Sequence, residues 1–316
     1  MPRLLRWIAL GALALAACGG GSTPAAQQQT DRITVAVVPI VDVAPVYLGI
    51  QQGFFKEQRL DVSAESGQGG AATVTAVVSG SAQFGFSNTV SEILALSKGL
   101  KLKAVAPGTQ SSDDPHRDAV ADIVRGDGSV RTCKDLEGRT IAVNQVANIA
   151  EVTLKYGCEQ RGANVSTFKF VEVAFPDMLA ELQKGRVDAI STAEPFTTQA
   201  LQAGGQALCY CFVDTYPHLT AATYFTTADY AGKHPDVVRR FTAAIQRSLA
   251  YAQQNPDQAR QVLGTYTQIP APARQAMVLP YWSQDMNKPS IQKMSDVMVR
   301  YGLIPRSPDL SSLYVK

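Results

Sequence analysis

Polar residues with hydrogen-bonding chemistry gather in short stretches that follow runs of β-branched and small apolar residues. Ser66-Gly67-Gln68-Gly69-Gly70-Ala71 is one; Ser87-Asn88-Thr89, Asn144-Gln145 and Thr192-Ala193-Glu194-Pro195 are others. Hydroxyls and amides both donate and accept, whereas carboxylates only accept, so this set suits capture of a polar small molecule. The glycine-rich stretch opens a helical pattern, where free N–H groups could cradle an anionic or carbonyl oxygen; a tight turn is its plainer role. Asn88 and Thr89 could equally cap the helix that follows, Thr89 being the favoured cap. Metal chemistry is not expected. The three histidines, His116, His218 and His234, are scattered, and the cysteines form no C-x-x-C pair.

These stretches need elements to hold them. Short β-rich runs alternate with helical patterns: strands at 33–38, 60–64, 83–87 and 102–106, helices at 45–58, 71–79 and 90–97. Alternation of this kind predicts βαβ units and largely parallel sheet. The pattern then repeats. Thr34-Val35-Ala36-Val37 is echoed by Thr140-Ile141-Ala142-Val143. Gly80 and the run to Gly85 are echoed by Gly185 and the run to Ile190, each glycine ending a helix before a strand. Two similar α/β lobes are the economical interpretation. A later strand at 223–227 leads to a helix at 235–255 with Val238, Phe241, Ile245 and Leu249 on one face. The proline-rich remainder is expected to form short helices wrapped on the body.

In open parallel sheets ligands sit beyond the carboxyl ends of strands. That rule selects loops 39–47, 66–72, 87–91, 144–150, 174–178 and 192–196. The expected contacts are Pro39, Asp42 and Tyr47 from the first, Gln68, Gly69 and Gly70 from the second, and Ser87 and Asn88 from the third. Asn144, Gln145, Phe175, Asp177 and Glu194 complete them. Tyr47, Phe175 and Phe196 could stack on a ring, with core packing the competing role for the two phenylalanines. No lysine or arginine occurs in the six loops, while Asp42, Asp177 and Glu194 do, and Glu92 lies just past the third. A small free anion would face carboxylates there. An amine or aminopyrimidine edge would find acceptors, with Glu194 preferred.

The first residues bear on the compartment. Arg3 and Arg6 precede an apolar run of 11 residues, Trp7 to Ala17, too short to span a bilayer. The run ends Leu15-Ala16-Ala17-Cys18, which resembles a bacterial lipobox, so 1–17 is expected to be a signal and Cys18 the lipidated residue. Residues 18–30 are polar and uncharged, a tether whose 12 residues after Cys18 reach roughly 20 Å. Without residues 1–17 the chain has 27 Lys+Arg against 27 Asp+Glu. That balance argues against a nucleic-acid partner, which calls for a basic excess. In an oxidising compartment the remaining Cys133, Cys158, Cys209 and Cys211 are disulfide candidates. Cys133 with Cys158 is the expected pair, at the end of lobe two away from the cleft, and Cys209 is a rival partner. Cys209 with Cys211 is the least expected, because alternate residues of an extended strand aim their Cβ atoms the same way.

The runs from Pro45 to Glu57, Gly80 to Gly85, Asp135 to Val143, Gly185 to Ala189 and Glu194-Pro195-Phe196 carry a family resemblance. At these residues the chain resembles type II periplasmic binding proteins of the nitrate/sulfonate/taurine and thiamine-pyrimidine-precursor group. The resemblance covers Ile33 to about Tyr301. It implies an α/β fold of two lobes, mostly parallel sheet flanked by helices, with 31–121 and 221–316 forming lobe one and 122–220 lobe two. It further implies a small-molecule ligand held between the lobes of a monomer, with closure sensed by an ABC permease and its ATPase. No cofactor is implied. The absence of basic residues from the loops favours a thiamine-pyrimidine-like or other amine-bearing heterocycle, with sulfonate or taurine next. A lipoprotein that senses rather than transports is the alternative. A pyrimidine-forming enzyme would need histidines at the cleft and a metal.

Overall fold

The computed structural model describes residues 30–315. Cys18, the signal at 1–17 and the tether up to residue 29 lie outside the described residues. The chain runs β1 (Asp31–Val37), α1 (Ala44–Gln51), α2 (Phe54–Glu57), β2 (Leu60–Ser66), α3 (Gly70–Val78), β3 (Phe84–Asn88), α4 (Thr89–Ser97) and β4 (Leu102–Gln110). It continues through β5 (Val120–Arg125), β6 (Thr140–Val143), α5 (Ile149–Gln160), β7 (Lys169–Glu172), α6 (Phe175–Gln183), β8 (Ala189–Ala193), α7 (Phe196–Gln202), β9 (Gly205–Cys209) and α8 (Cys211–Thr215). Last come β10 (Thr220–Thr227), α9 (Ala228–Lys233), α10 (Pro235–Gln254), α11 (Pro256–Val262), α12 (Ala271–Ala276) and α13 (Lys288–Arg300).

These strands make two five-stranded sheets of the same plan, β2-β1-β3-β10-β4 and β7-β6-β8-β5-β9. In each, the first three strands are parallel and the fourth runs antiparallel to its neighbours. The reversed strand is the one that has crossed from the other half: β5 follows lobe-one β4, and β10 follows lobe-two α8. Sheet membership therefore changes between Gln110 and Val120, and again between Cys209 and Thr220. The crossings are tied together where Ser111 N–H donates to the Leu219 carbonyl (3.0 Å) and Leu219 N–H to Ser111 Oγ (2.9 Å).

Local chemistry accounts for the elements. Gly80 and Gly185 both take left-handed φ, 83° and 68°, at the turn out of α3 and α6, a conformation that costs other residues more. The helical pattern at 45–58 is broken by Gly53 at φ 75°, which separates α1 from α2. Asn88, not Thr89, caps α4: its Oδ1 accepts from Ser91 N–H at 3.0 Å. The strand extends one residue further than the pattern indicated, so the cap position moves with it. Thr89 Oγ1 instead donates to the Thr220 carbonyl (3.3 Å).

Lobe one packs β1, β3 and β10 against α1 and α10. Val238, Phe241, Ile245 and Leu249 of α10 are all buried there, and the Phe84 and Phe241 rings stack at 3.8 Å. Burial of each such side chain is worth roughly 1.5–3 kcal/mol, so this face fixes the helix. Lobe two has its own core around Ile141, Leu154 and Val165. Along the crossing side, Val90 and Ile93 of α4, Ile149 and Val152 of α5 and Ile291, Met294 and Val297 of α13 share one cluster. The carboxyl stretch thus braces both lobes.

All four described cysteines lie in lobe two. Cys133 pairs with Cys158 (Cα–Cα 5.1 Å) and Cys209 with Cys211 (5.5 Å). The second pairing corrects the expectation that it is the least favoured. The objection assumed that both residues lie on one extended strand, but β9 ends at Cys209 and α8 begins at Cys211. Tyr210 between them has φ −114° and ψ 69°, which turns the second Cβ back toward the first.

Candidate functional site

Between the lobes lies a cavity of about 70 Å³. Val38, Ile40, Asp42, Gly70, Phe86, Ser87 and Asn88 line it from lobe one. Asn144, Asn148, Ile149, Ala150, Phe175, Ser191, Thr192, Ala193 and Phe212 line it from lobe two, and Val120, Ala221 and Ala222 from the ends of the crossing strands. The lining contains no lysine, arginine or histidine.

Each polar wall group has a partial commitment that determines what remains for a guest. Gly70 opens α3 so tightly against β3 that a Cβ there would come within 2.7 Å of Ser87 Oγ and 2.6 Å of Ser91 Oγ. Ser87 Oγ donates to the Gly70 carbonyl (3.1 Å), leaving its lone pairs. Asn88 uses its carbonyl as the α4 cap, which leaves its NH₂. Asn148 Nδ2 donates to Asn144 Oδ1 (3.4 Å), and Asn144 Nδ2 to the Gln68 carbonyl (3.3 Å) across the lobes.

Asp42 is the acid of the cavity. It is 8% exposed, and its Oδ1 accepts from Thr109 Oγ1 at 2.7 Å while Oδ2 has no partner. Burial pushes its carboxyl up to about 6, opposed by the Thr109 hydrogen bond. Asp118, at the crossing, is pushed up to about 7, chiefly by burial, with the neighbouring Asp42 adding to the rise. Its Oδ2 is also unpartnered. A buried acceptor without a donor is costly, so both carboxyls hold their protons to a higher pH than an exposed carboxylate does.

The remaining expected residues fall in three places. Pro39 sits between the wall residues Val38 and Ile40 without lining the cavity itself. Gln68, Gly69 and Gln145 form the inter-lobe contact at its rim. Gln145 Oε1 accepts from Ala71 N–H (3.1 Å), so the α3 amino end is occupied by this side chain, and a Cβ at Gly69 would meet the same oxygen at 2.6 Å. Tyr47, Asp177 and Glu194 are elsewhere. Tyr47 stacks on Tyr266 at 3.9 Å, and Asp177 is exposed on the first turn of α6. Phe175 reaches the wall and also stacks on Phe196 (5.8 Å).

Glu194, the preferred acceptor by sequence, is fully buried as a strut between lobes. Its Oε1 accepts from Thr198 Oγ1 (2.7 Å) and Val278 N–H (3.0 Å), its Oε2 from Thr198 N–H (3.0 Å), and its carbonyl from Val41 N–H (3.0 Å). Burial raises its carboxyl despite these bonds. A strand-end position marks a residue as near the cleft but does not reveal competing partners from a segment 84 residues away. Asn148, Thr192 and Ala193 lie inside loops that the strand-end rule selects. Phe212, Val120, Ala221 and Ala222 belong to the crossings, which that rule ignores.

Two matched sheets, exchanged fourth strands and a cavity between them define a two-lobed periplasmic-binding-protein fold. A family model described as "NMT1/THI5 like" matches residues 40–259, and the chain belongs to that family. YtlA of Bacillus subtilis (strain 168) is 22% identical over 258 residues, spanning 77% of this chain and 73% of that protein. Among solved structures, the alkanesulfonate-binding protein SsuA from Xanthomonas axonopodis pv. citri superposes with TM-score 0.75 at 16% identity, covering 91% of this chain and 99% of that one. The nitrate-binding protein NrtA from Synechocystis PCC 6803 gives TM-score 0.75 at 14% identity, covering 91% and 86%.

Proposed function

We propose that this chain is the solute-binding component of an ABC importer and that it captures an amine-bearing heterocycle between its lobes. A thiamine-pyrimidine precursor is the favoured ligand and a sulfonate such as taurine the second. In this reading residues 1–17 direct export, a lipid on Cys18 holds the protein at the membrane surface, and a permease with its ATPase receives the ligand. The family, the shared fold and a cavity between the lobes support the class.

The observation that carries the ligand class is a cavity wall that includes the acid Asp42 and no lysine or arginine. A donor-bearing ring edge can pair with the Asp42 carboxylate, while the Asn88 amide and the Ser87 lone pairs can meet the ring's remaining polar atoms. A sulfonate or nitrate would bring three acceptor oxygens to a site with one buried acid and no cation. The structurally similar SsuA and NrtA are described as binding such anions, yet the wall chemistry of this cavity favours the opposite charge.

The test is a calorimetric comparison of a hydroxymethyl aminopyrimidine, taurine and nitrate against the purified protein. The aminopyrimidine is expected to bind most tightly, and Asp42→Asn to weaken it roughly ten- to hundredfold, the worth of a hydrogen bond to a charged group. Tighter binding of taurine or nitrate, unaffected by Asp42→Asn, would overturn the ligand assignment.

A further inference from the structure

Lobe two holds a group of sulfurs that ligand capture does not explain. The Sγ atoms of Cys133, Cys158 and Cys209 lie within 4.8 Å of one another, and those of Cys209 and Cys211 within the same distance of an Asp122 oxygen. The two bonds in this group differ in what they join. Cys133–Cys158 ties the turn before β6 to the far end of α5 and closes a long loop, with a sequence separation of 25. Cys209–Cys211 spans a separation of 2. On the loop-closure account a bond that short constrains the unfolded chain far less, so its use lies in the folded state.

Its neighbours show what it holds. Cys209 is the last residue of edge strand β9 and pairs across from Asp122 of β5, just where that ladder slips register. Asp122 pairs on its other side with Ser191, a cavity wall residue. The Asp122 Oδ2 lies 3.3 Å from Cys209 Sγ, and Oδ1 has no partner. A disulfide sulfur has no hydrogen to donate, so this carboxyl is packed against the bond rather than bonded by it. On the other side, α5 presses close: a Cβ at Gly157 would stand 2.6 Å from Cys211 Sγ. Cys211 is also the first residue of α8, and the next residue, Phe212, is 6% exposed and lines the cavity. A helix of five residues does not hold itself together in isolation. Beyond side-chain packing, the ties on α8 include the disulfide at its first residue and an Asp214–Arg161 ion pair (2.8 Å) near its end.

We propose that the Cys209–Cys211 disulfide is a positioning element of the ligand cavity: it fixes the first turn of α8 to the end of β9 and so holds Phe212 and the Asp122–Ser191 rung in the wall. Cys133–Cys158, in the same core, serves stability without setting the wall. The ligand arm of the test rests on the aminopyrimidine reading; the exchange arm does not.

Two double variants of the full protein separate the roles, Cys209→Ser with Cys211→Ser and Cys133→Ser with Cys158→Ser. Amide hydrogen exchange is followed at 190–193 and 211–215, alongside thermal unfolding and binding of the hydroxymethyl aminopyrimidine. The first pair is expected to speed exchange in both segments and to weaken binding about tenfold, with the smaller drop in unfolding temperature. The second should lower the unfolding temperature more while leaving exchange at 211–215 and affinity as they were. Unchanged exchange at 211–215 in the first pair, or equal effects of the two pairs there, would overturn the proposal. Free thiols at Cys209 and Cys211 in the purified exported protein would do the same. If the aminopyrimidine fails to bind even the unaltered protein, the ligand assignment falls and the exchange comparison still decides this one.

Discussion

In the proposed reading, where Asp42 receives the ligand, capture is a protonation event as well as a contact. With its carboxyl pushed up to about 6 by burial, Asp42 is mostly protonated below that pH and mostly ionised above it. A cationic amine beside this carboxylate favours the ionised form and pulls its pKa down. Uptake of such a ligand should therefore release a proton from Asp42 in acid, with affinity rising as pH climbs to about 6 and levelling beyond it. Calorimetric titrations in two buffers of unlike ionisation heat, at about pH 5 and about pH 8, count the protons directly. Equal proton release at both pH values would rule out Asp42 as the acceptor. The residue itself was legible in the sequence as an acid in a strand-end loop without basic neighbours. Its advantage over Glu194 was not, because that depends on Val278 and Thr198 occupying Glu194's oxygens while only Thr109 reaches Asp42.

Among the elements, those with strong local signals match their sequence readings. The alternating strands and helices of both lobes, the buried stripe of α10 and the glycine exits at Gly80 and Gly185 all follow from period and turn chemistry. What the sequence left out are features set by chain direction. The α4 cap moved to Asn88 when β3 ran one residue longer, and Cys209 could meet Cys211 only because β9 stops between them. The crossings escaped notice as wall elements because their contribution comes from Val120, Ala221 and Phe212 at element beginnings, not strand ends. The Cys133–Cys158 tie gives this scale its own prediction. It joins the 3-10 turn at Cys133–Leu136 to α5 in a fully packed core. Its closed loop is worth ~3.5 kcal/mol on the chain-entropy account. Cys133→Ser with Cys158→Ser should lower unfolding free energy in urea by about that amount, and a loss below about 1 kcal/mol would mean the bond is not formed or its loop is already ordered when unfolded.

Among the described residues, several acids are buried without an ion-pair partner. Asp42 is pushed up to about 6 and Asp118 and Asp122 to about 7, in each case mainly by burial, and buried Glu92 and Glu194 shift in the same direction for the same first cause. A group whose folded pKa lies above its unfolded one holds a proton in the fold that the unfolded chain has released. Its contribution is complete below the ordinary carboxylate range and disappears as pH rises through the folded pKa. For Asp42, Asp118 and Asp122 that window runs from about pH 4 to about pH 7. Exposed Asp127 and Asp135 shift the other way, Asp127 to about 2, through hydrogen bonds from their own turns. Their contribution changes only below the window, so they do not offset the trend within it. The protein should be more stable at about pH 5 than at about pH 8, by at least ~2 kcal/mol, since each tenfold change in proton affinity between folded and unfolded chain is worth ~1.4 kcal/mol. Asp42→Asn should flatten part of that slope, since a neutral amide in its place releases no proton. Urea unfolding of both proteins across this range measures the slope, and a parent protein equally or more stable at about pH 8 would show that water or cations already reach these carboxylates in the folded state.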